Sequence, residues 1–213
     1  MIAGKCAPRR AFALAAALIA SAAAGAATWA HETAALPPAQ QSAAPFLGVI
    51  RAAPDFTLND TGGRPVRLAH DRGRVVLIAF IYTSCTTACP LLSLKMSLLQ
   101  RELLARGIDG RQVRFYSITV DPERDSADAL ARYARPFVRD GDAWRFLHAS
   151  PARLREVLAA WDEWTRPLPD GELDHPARLH LVDPRGRIRE IYSLAFFDER
   201  QALVDITTLL DGQ

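Results

Sequence analysis

Residues 74–90 read Arg74-Val75-Val76-Leu77-Ile78-Ala79-Phe80-Ile81-Tyr82-Thr83-Ser84-Cys85-Thr86-Thr87-Ala88-Cys89-Pro90. Every position from Val75 to Ile81 is apolar, the pattern of a strand buried on both faces of a sheet. Leu91, Leu94, Leu98 and Leu99 then recur at helical spacing, which predicts a helix over 90–106 that ends at Gly107. Two cysteines four residues apart therefore sit where a buried strand hands over to a helix. Unpaired backbone N–H groups and the positive helix end favour thiolate over thiol at such a junction. The spacing predicts both sulfurs on one helical face, one turn apart. Two thiolates so placed can close a disulfide or hold a soft metal ion. Plain packing of buried cysteines is the competing reading, weakened because Cys6 is the only other cysteine in the chain.

Working outward, residues 55–59 and 66–68 alternate around Asp60-Thr61-Gly62-Gly63, which predicts a hairpin before the buried strand. After the cysteine helix come a strand over 113–120, the turn Asp121-Pro122-Glu123-Arg124-Asp125, and a helix over 126–138 that Asp125 is expected to cap. A short strand is predicted over 144–147. Ser150-Pro151 then reads as a cap with proline at the first helical position, opening a helix over 152–164. Strands over 178–182 and 187–194 flank Asp183-Pro184-Arg185-Gly186, and a helix over 199–210 closes the chain. Strands alternating with helices, followed by a terminal hairpin and helix, predict an α/β sandwich around a mixed central sheet, with the 55–68 hairpin as an N-terminal extension.

The first 45 residues differ in kind. Lys5, Arg9 and Arg10 precede the apolar, alanine-rich run 11–27, with Thr28-Trp29-Ala30 after it. That order predicts an export segment over 1–30, either a cleaved signal peptide or an uncleaved membrane anchor. Residues 31–45, rich in Ala, Gln and Pro, read as a flexible tether, leaving 46–213 as one domain. The 213 residues carry a net charge of +2 with no basic stripe interleaved with aromatics, so nucleic acid is excluded as the expected partner. Export leaves Cys85 and Cys89 as the only cysteines of the mature domain, in a compartment where such a pair is a disulfide, a redox couple or a metal site.

Histidine complements two thiolates. Of the five, His31 lies in the tether, His70 and His148 lie near turns, and His180 lies within a strand and reads as a packing residue. His175 sits in the polar stretch Pro169-Asp170-Gly171-Glu172-Leu173-Asp174-His175-Pro176, just before a strand, where loops commonly place ligands. These considerations alone favour His175 only modestly.

From residue 46 onward the chain resembles the Sco/SenC family of copper-binding, thioredoxin-like proteins. The resemblance rests on Ala53-Pro54-Asp55-Phe56-Thr57-Leu58, on Tyr82-Thr83-Ser84-Cys85 through Cys89-Pro90, on Val120-Asp121-Pro122-Glu123-Arg124-Asp125, on Trp144-Arg145-Phe146-Leu147, and on Asp174-His175 before Leu181-Val182-Asp183-Pro184-Arg185-Gly186. It implies a thioredoxin-like fold, copper as the metal, and Cys85, Cys89 and His175 as its ligands, with Cys85–Cys89 as a redox disulfide. Asp121 is a candidate to orient His175 or to meet a partner; a turn-and-cap role is the alternative. Thr86 stands where the family commonly has proline, and Pro176 where it has Ser or Thr. Pro176 restricts His175 toward extended backbone angles.

Two thiolates and an imidazole can hold either Cu(I) or Cu(II). With Met1 and Met96 the only methionines, a methionine-based carrier is not expected. The resemblance thus implies an exported metallochaperone, tethered or released on the periplasmic side of a bacterial inner membrane. It would deliver copper to, or ready the cysteines of, the binuclear copper centre of cytochrome c oxidase. Its partners would be the copper-containing oxidase subunit and a periplasmic thiol reductase or another copper carrier. Two other readings use the same cysteines. A thiol–disulfide oxidoreductase is one, although such enzymes usually space the pair as Cys-x-x-Cys. A peroxiredoxin-like peroxidase is the other, although a single residue, Ser84, separates Thr83 from Cys85.

Overall fold

The computed structural model describes residues 47–212. The expected export segment and tether, with Cys6 and His31, lie outside the described residues. Among the described residues no helix is long and apolar enough to cross a membrane.

In chain order the elements are β1 (Arg51–Ala52), β2 (Thr57–Asp60), β3 (Pro65–Arg67), β4 (Val75–Ile81), α1 (Ala88–Ala105), β5 (Val113–Thr119) and α2 (Ala127–Ala134). There follow β6 (Trp144–His148), α3 (Pro151–Ala160), β7 (Arg166–Pro167), β8 (Leu173–Asp174), β9 (Arg178–Val182), β10 (Arg187–Ser193) and α4 (Glu199–Asp211). Eight strands form one sheet in the order β1-β10-β9-β4-β5-β6-β2-β3, while β7 and β8 pair separately.

The reading of 75–81 decides this topology. All seven residues of β4 are buried, because β4 lies mid-sheet, parallel to β5 on one side and antiparallel to β9 on the other. β6 extends the parallel part, and the β2–β3 hairpin adds to it antiparallel. The result is the expected α/β fold, a mixed sheet with four helices in a thioredoxin-like arrangement. One core runs through it, with Phe56, Phe80, Leu92, Met96, Leu99, Phe115, Ile118, Leu130 and Trp161 almost fully buried.

Several boundaries differ from the sequence reading. α1 begins two residues early, at Ala88, with Cys89 second and Pro90 third; a missing N–H costs nothing in that first turn. Cys85 consequently lies outside the helix, so the two sulfurs are not on one helical face. At its other end Gly107, at φ 75, carries the chain out, with Gly107 N–H bonded to Leu104 O and Ile108 N–H to Leu103 O, the paired closure that a left-handed residue permits.

α2 is shorter than expected and its cap is Ser126, whose side chain accepts from Ala129 N–H; Asp125 is released for another task. α3 stops at Ala160 because the next turn closes in the same paired way. Asp162 takes the left-handed conformation at φ 56, while Asp162 N–H meets Ala159 O and Glu163 N–H meets Leu158 O. That turn carries Glu163 into the interior, where it is 5% exposed.

The stretch before His175, read as a polar loop, is a small hairpin. Leu168 N–H donates to Glu172 O and Gly171 N–H to Leu168 O, around Pro169-Asp170-Gly171 with Gly171 at φ 86.

Candidate functional site

β4 ends at Ile81, and the chain turns at once, Cys85 N–H donating to Tyr82 O at 3.4 Å. The turn is held from beneath by Asp125, which is 1% exposed. Its carboxylate accepts from Thr83 N–H at 3.0 Å, from Thr83 Oγ1 at 2.5 Å and from Thr119 Oγ1 at 2.5 Å. One buried side chain thus ties together the ends of the parallel strands β4 and β5, the edge at which open α/β sheets present their sites.

The turn delivers the Cys85 sulfur to the start of α1. Cys89 N–H, an orphan donor of the first helical turn, bonds to Cys85 Sγ at 3.4 Å. Thr87, the residue at the helix N-cap, makes no side-chain cap bond, so the Cys85 sulfur does what a capping oxygen does elsewhere. Electrostatics separates the two thiols. Burial works against charge at Cys85, but the N–H groups of Cys89 and Thr87, with the Cys89 thiol and Tyr82 hydroxyl, outweigh it and lower the pKa below the ordinary thiol value. At Cys89 burial dominates, and the charges of Cys85 and Asp125 add to it, raising the pKa well above that value. Of the two, Cys85 gives up its proton more readily and Cys89 holds its proton more tightly. Both are free thiols.

His175 follows β8 directly. Its Nε2 lies 3.7 Å from Cys89 Sγ, and its ring stands edge-to-face on Tyr82 at 5.5 Å between centroids. Burial lowers its pKa, against the Pro176 carbonyl and the charges of Glu163 and Asp174, so the imidazole is neutral at pH 7 and has a lone pair to offer. The hairpin that carries it is gripped by Tyr82, whose hydroxyl donates to Glu172 Oε2 and accepts from Leu173 N–H at 3.3 Å. Arg124 adds a second tie, reaching Gly171 O at 2.7 Å while its Nε pairs with Asp121.

Cys85, Cys89 and His175 are therefore brought together. Among the described residues, however, no set of three or more His, Cys, Asp or Glu side chains is already spaced to hold a metal ion. Asp121 makes no hydrogen bond to His175; its carboxylate serves Arg124, and its only link to the histidine hairpin runs through that arginine. His180 is wholly buried in the core, its Nε2 2.9 Å from Glu163 Oε1, and His70 is exposed. The sequence reading gave no role to Tyr82, Thr83 or Glu172, and a capping role to Asp125. The signals were present: a tyrosine ending an otherwise wholly apolar strand, and two aspartates four apart after the next one.

The chain was compared with known proteins. A family model described as SCO1/SenC matches residues 48–211. The SCO1 protein homolog of Bacillus subtilis (strain 168) is 33% identical over 141 residues, covering 65% of this chain and 72% of that one. The mitochondrial SCO2 homolog of Homo sapiens is 32% identical over 144 residues, covering 65% of this chain and 52% of that one; the chain spans about half the length of such mitochondrial relatives.

Among solved structures, Bradyrhizobium japonicum ScoI with copper bound superposes with TM-score 0.64 at 29% identity, covering 75% of this chain and 99% of that one. BsSco, described with a disulfide switch and as a member of the Sco family of cytochrome c oxidase assembly proteins, gives 0.67 at 28% identity, covering 78% and 98%. A fold built on β4 and α1, a cysteine pair at their junction and a histidine brought to it agree with a family match over most of the chain: this protein belongs to the SCO1/SenC family.

Proposed function

We propose that this chain carries copper, bound by Cys85, Cys89 and His175, for assembly of the copper centre of cytochrome c oxidase. The carrying observation is that His175 Nε2 stands 3.7 Å from Cys89 Sγ, while the Cys85 sulfur beside it accepts from Cys89 N–H. The donor set fits the ion: two sulfurs favour Cu(I) and the neutral imidazole accommodates Cu(II). Binding releases the Cys89 proton, since the thiolate is the ligand. Because the three side chains are not yet spaced around one point, the histidine hairpin must close on the ion to complete the set, and it must open to release it. An ion held by three protein groups keeps a position through which a partner can take it. ScoI with copper bound is a relative of the same fold, which supports the choice of metal.

The location belongs to the same reading. The basic start and apolar run at 11–27 export the domain to the periplasmic side of the inner membrane, anchored or released. There the oxidase's copper-containing subunit is the recipient.

Copper analysis of the purified, reduced full chain tests the proposal. We expect one copper per chain and, with Cu(II), thiolate-to-metal charge-transfer absorption lost in Cys85→Ser and Cys89→Ser. Stoichiometric copper without that absorption, or unaltered binding in both variants, would overturn it.

The asymmetry of the two thiols favours a second role. A stabilised Cys85 thiolate can attack a partner's disulfide, and Cys89 can then resolve the mixed disulfide, leaving the Cys85–Cys89 bond and a reduced partner dithiol. The disulfide switch described for BsSco supports this. Assaying reduction of a peptide disulfide by wild type and His175→Ala separates the roles, since His175 is needed for copper alone.

A further inference from the structure

The large apolar side chains left open to solvent are not spread evenly over the surface. Leu91, Leu94, Phe196 and Val204 are among them, Phe196 the most open at 89%. Contacts bring these four onto one face. Lys95, one turn on from Leu91 in α1, donates to Phe197 O at 2.8 Å and pairs with Glu199 at 3.3 Å, so the turn carrying Phe196 lies against the start of α1. Further along, α1 and α4 bound a groove of about 640 Å³, with Leu98 and Arg106 on one wall and Arg200 and Val204 on the other. Leu91, Leu94, Leu98 and Arg101 follow at steps of three and four residues, a single stripe along α1. The eighteen residues of α1 span about 27 Å, so the face runs from beside Cys89 to Arg106. Of the other exposed apolar residues, Trp164 and Leu168 flank β7 in the histidine hairpin, and Val49 and Ile50 follow Leu47.

Two further observations say what covers this face. Its charge is unbalanced: Lys95 is paired with Glu199 and Arg101 with Glu102, while Arg106 and Arg200 have no ion pair among the described residues. An apolar stripe edged by free arginines matches an anionic lipid surface, where apolar side chains sink below the headgroups and guanidinium groups meet them. The chain also enters the domain on this side. Leu47, first of the described residues, shares a hollow of about 420 Å³ with Phe196 and with Gln201 and Asp205 of α4, and the sequence leads back from there to the apolar run 11–27.

We infer that the α1–α4 face, led by Phe196, docks on the anionic surface of the membrane that holds residues 11–27. The expected tether keeps the face at an effective concentration on the order of mM, so a weak surface attraction suffices. α1 then lies along the bilayer, and the Cys85–Cys89 mouth at its start opens sideways at headgroup height. A recipient fixed in the same membrane meets it there. The inference rests on the membrane location proposed above and not on copper.

The test places photoreactive benzoylphenylalanine at position 196, or at Pro65 as a control, in the full chain reconstituted in phosphatidylcholine vesicles with and without phosphatidylglycerol. Pro65 is exposed on β3, at the far edge of the sheet from β10. In the anionic vesicles, lipid labelling from 196 should exceed that from 65 at least tenfold. Arg106→Gln and Arg200→Gln should each lower the docked-to-free ratio about fivefold, and neutral vesicles should lower it more than either; copper stoichiometry should not change.

Equal labelling at the two positions overturns the inference, as does labelling from 196 that goes to a second protein chain or ignores charge. Alkaline carbonate extraction reads the anchor separately. A chain that resists extraction but labels alike at both positions keeps the anchor and loses the surface. One that is extracted, yet labels lipid from 196 in a charge-dependent way, keeps the surface and loses the anchor.

Discussion

The cysteine turn and the histidine hairpin meet across 3.7 Å, yet they are mounted in different ways. The turn grows out of β4, the most buried strand of the sheet, and is pinned by Asp125 through Thr83 and Thr119. The hairpin pairs only with itself, through two residues on each side, and is fastened to the body by Tyr82 and Arg124 at 171–173. A buried carboxylate with three donors is costly to disturb; a half-exposed tie is not. The sulfurs therefore form a fixed platform and the imidazole comes on a hinged arm, an arrangement suited to an ion that must be gripped and then given up. Local stability of this kind is drawn from opposite ends of the range a domain offers.

The largest expected effect lies on the platform. Cys85→Ser and Cys89→Ser remove ligand atoms and should each lower copper affinity by more than the roughly 10–100-fold that an outer partner costs. His175→Ala removes the arm alone: Cu(I) retention should suffer less than Cu(II) retention, since the thiolates favour the softer ion. His70→Ala and His148→Ala should change neither. Competition titration with a chelator for each oxidation state checks the set, and equal losses for Cu(I) and Cu(II) in His175→Ala would erase the distinction between platform and arm.

Next comes the pin. Asp125→Ala strands a backbone N–H and two hydroxyls in the interior and should cost about 3 kcal/mol of unfolding free energy. Urea unfolding of the copper-free protein measures it, and a loss no larger than that of Tyr82→Phe would mean that the turn is no better fastened than the hairpin. Tyr82→Phe keeps the ring against His175 but drops the hydroxyl that receives Leu173 N–H. We expect about 1 kcal/mol, read as a several-fold faster hydrogen exchange of the Leu173 amide with exchange in β4 unchanged.

The platform was more legible in the sequence than the arm, and for a physical reason. β4 announces itself because seven consecutive apolar residues have few other places to go; α1 was legible from Leu91, Leu94, Leu98 and Leu99, although Leu91 and Leu94 are exposed and the face that reaches the core is Leu92, Met96, Leu99 and Leu103. The arm carries little apolar surface. Its strands are two residues long and its fold rests on a turn, whose Pro169-Asp170-Gly171 sequence is a hairpin signal easily passed over between polar neighbours. Helix ends were misjudged where tertiary packing continued an apolar pattern past the helix, as at Phe137 and Val138, which rest against the core beyond α2; Pro136 was the stop signal there. α3 ends on Asp162 in a conformation that glycine usually marks, so neither its end nor the inward turn of Glu163 could be read. Asp125 was misassigned because Ser126 beside it is an equally good cap, and only the folded chain shows which of the two is free to pin the cysteine turn.

The smallest effect separates platform from arm by pH. After burial, which opposes it, the influences on Cys85 are the N–H groups of Cys89 and Thr87, the Cys89 thiol and the Tyr82 hydroxyl; His175 is not among them. The thiolate of Cys85 should therefore persist as pH falls below the ordinary thiol range near about 8.5, while Cys89 stays protonated above it. Alkylation by iodoacetamide followed across pH, with the modified residue identified by mass, should show Cys85 reacting first and its half-reaction point on the acid side of a free thiol. His175→Ala should leave that profile in place. Tyr82→Phe should move it to higher pH, because a polar hydroxyl that favours charge on the sulfur is gone. A profile that moves with His175 and not with Tyr82 would place the imidazole in the platform already before any ion arrives, and the hinged arm would have to be given up.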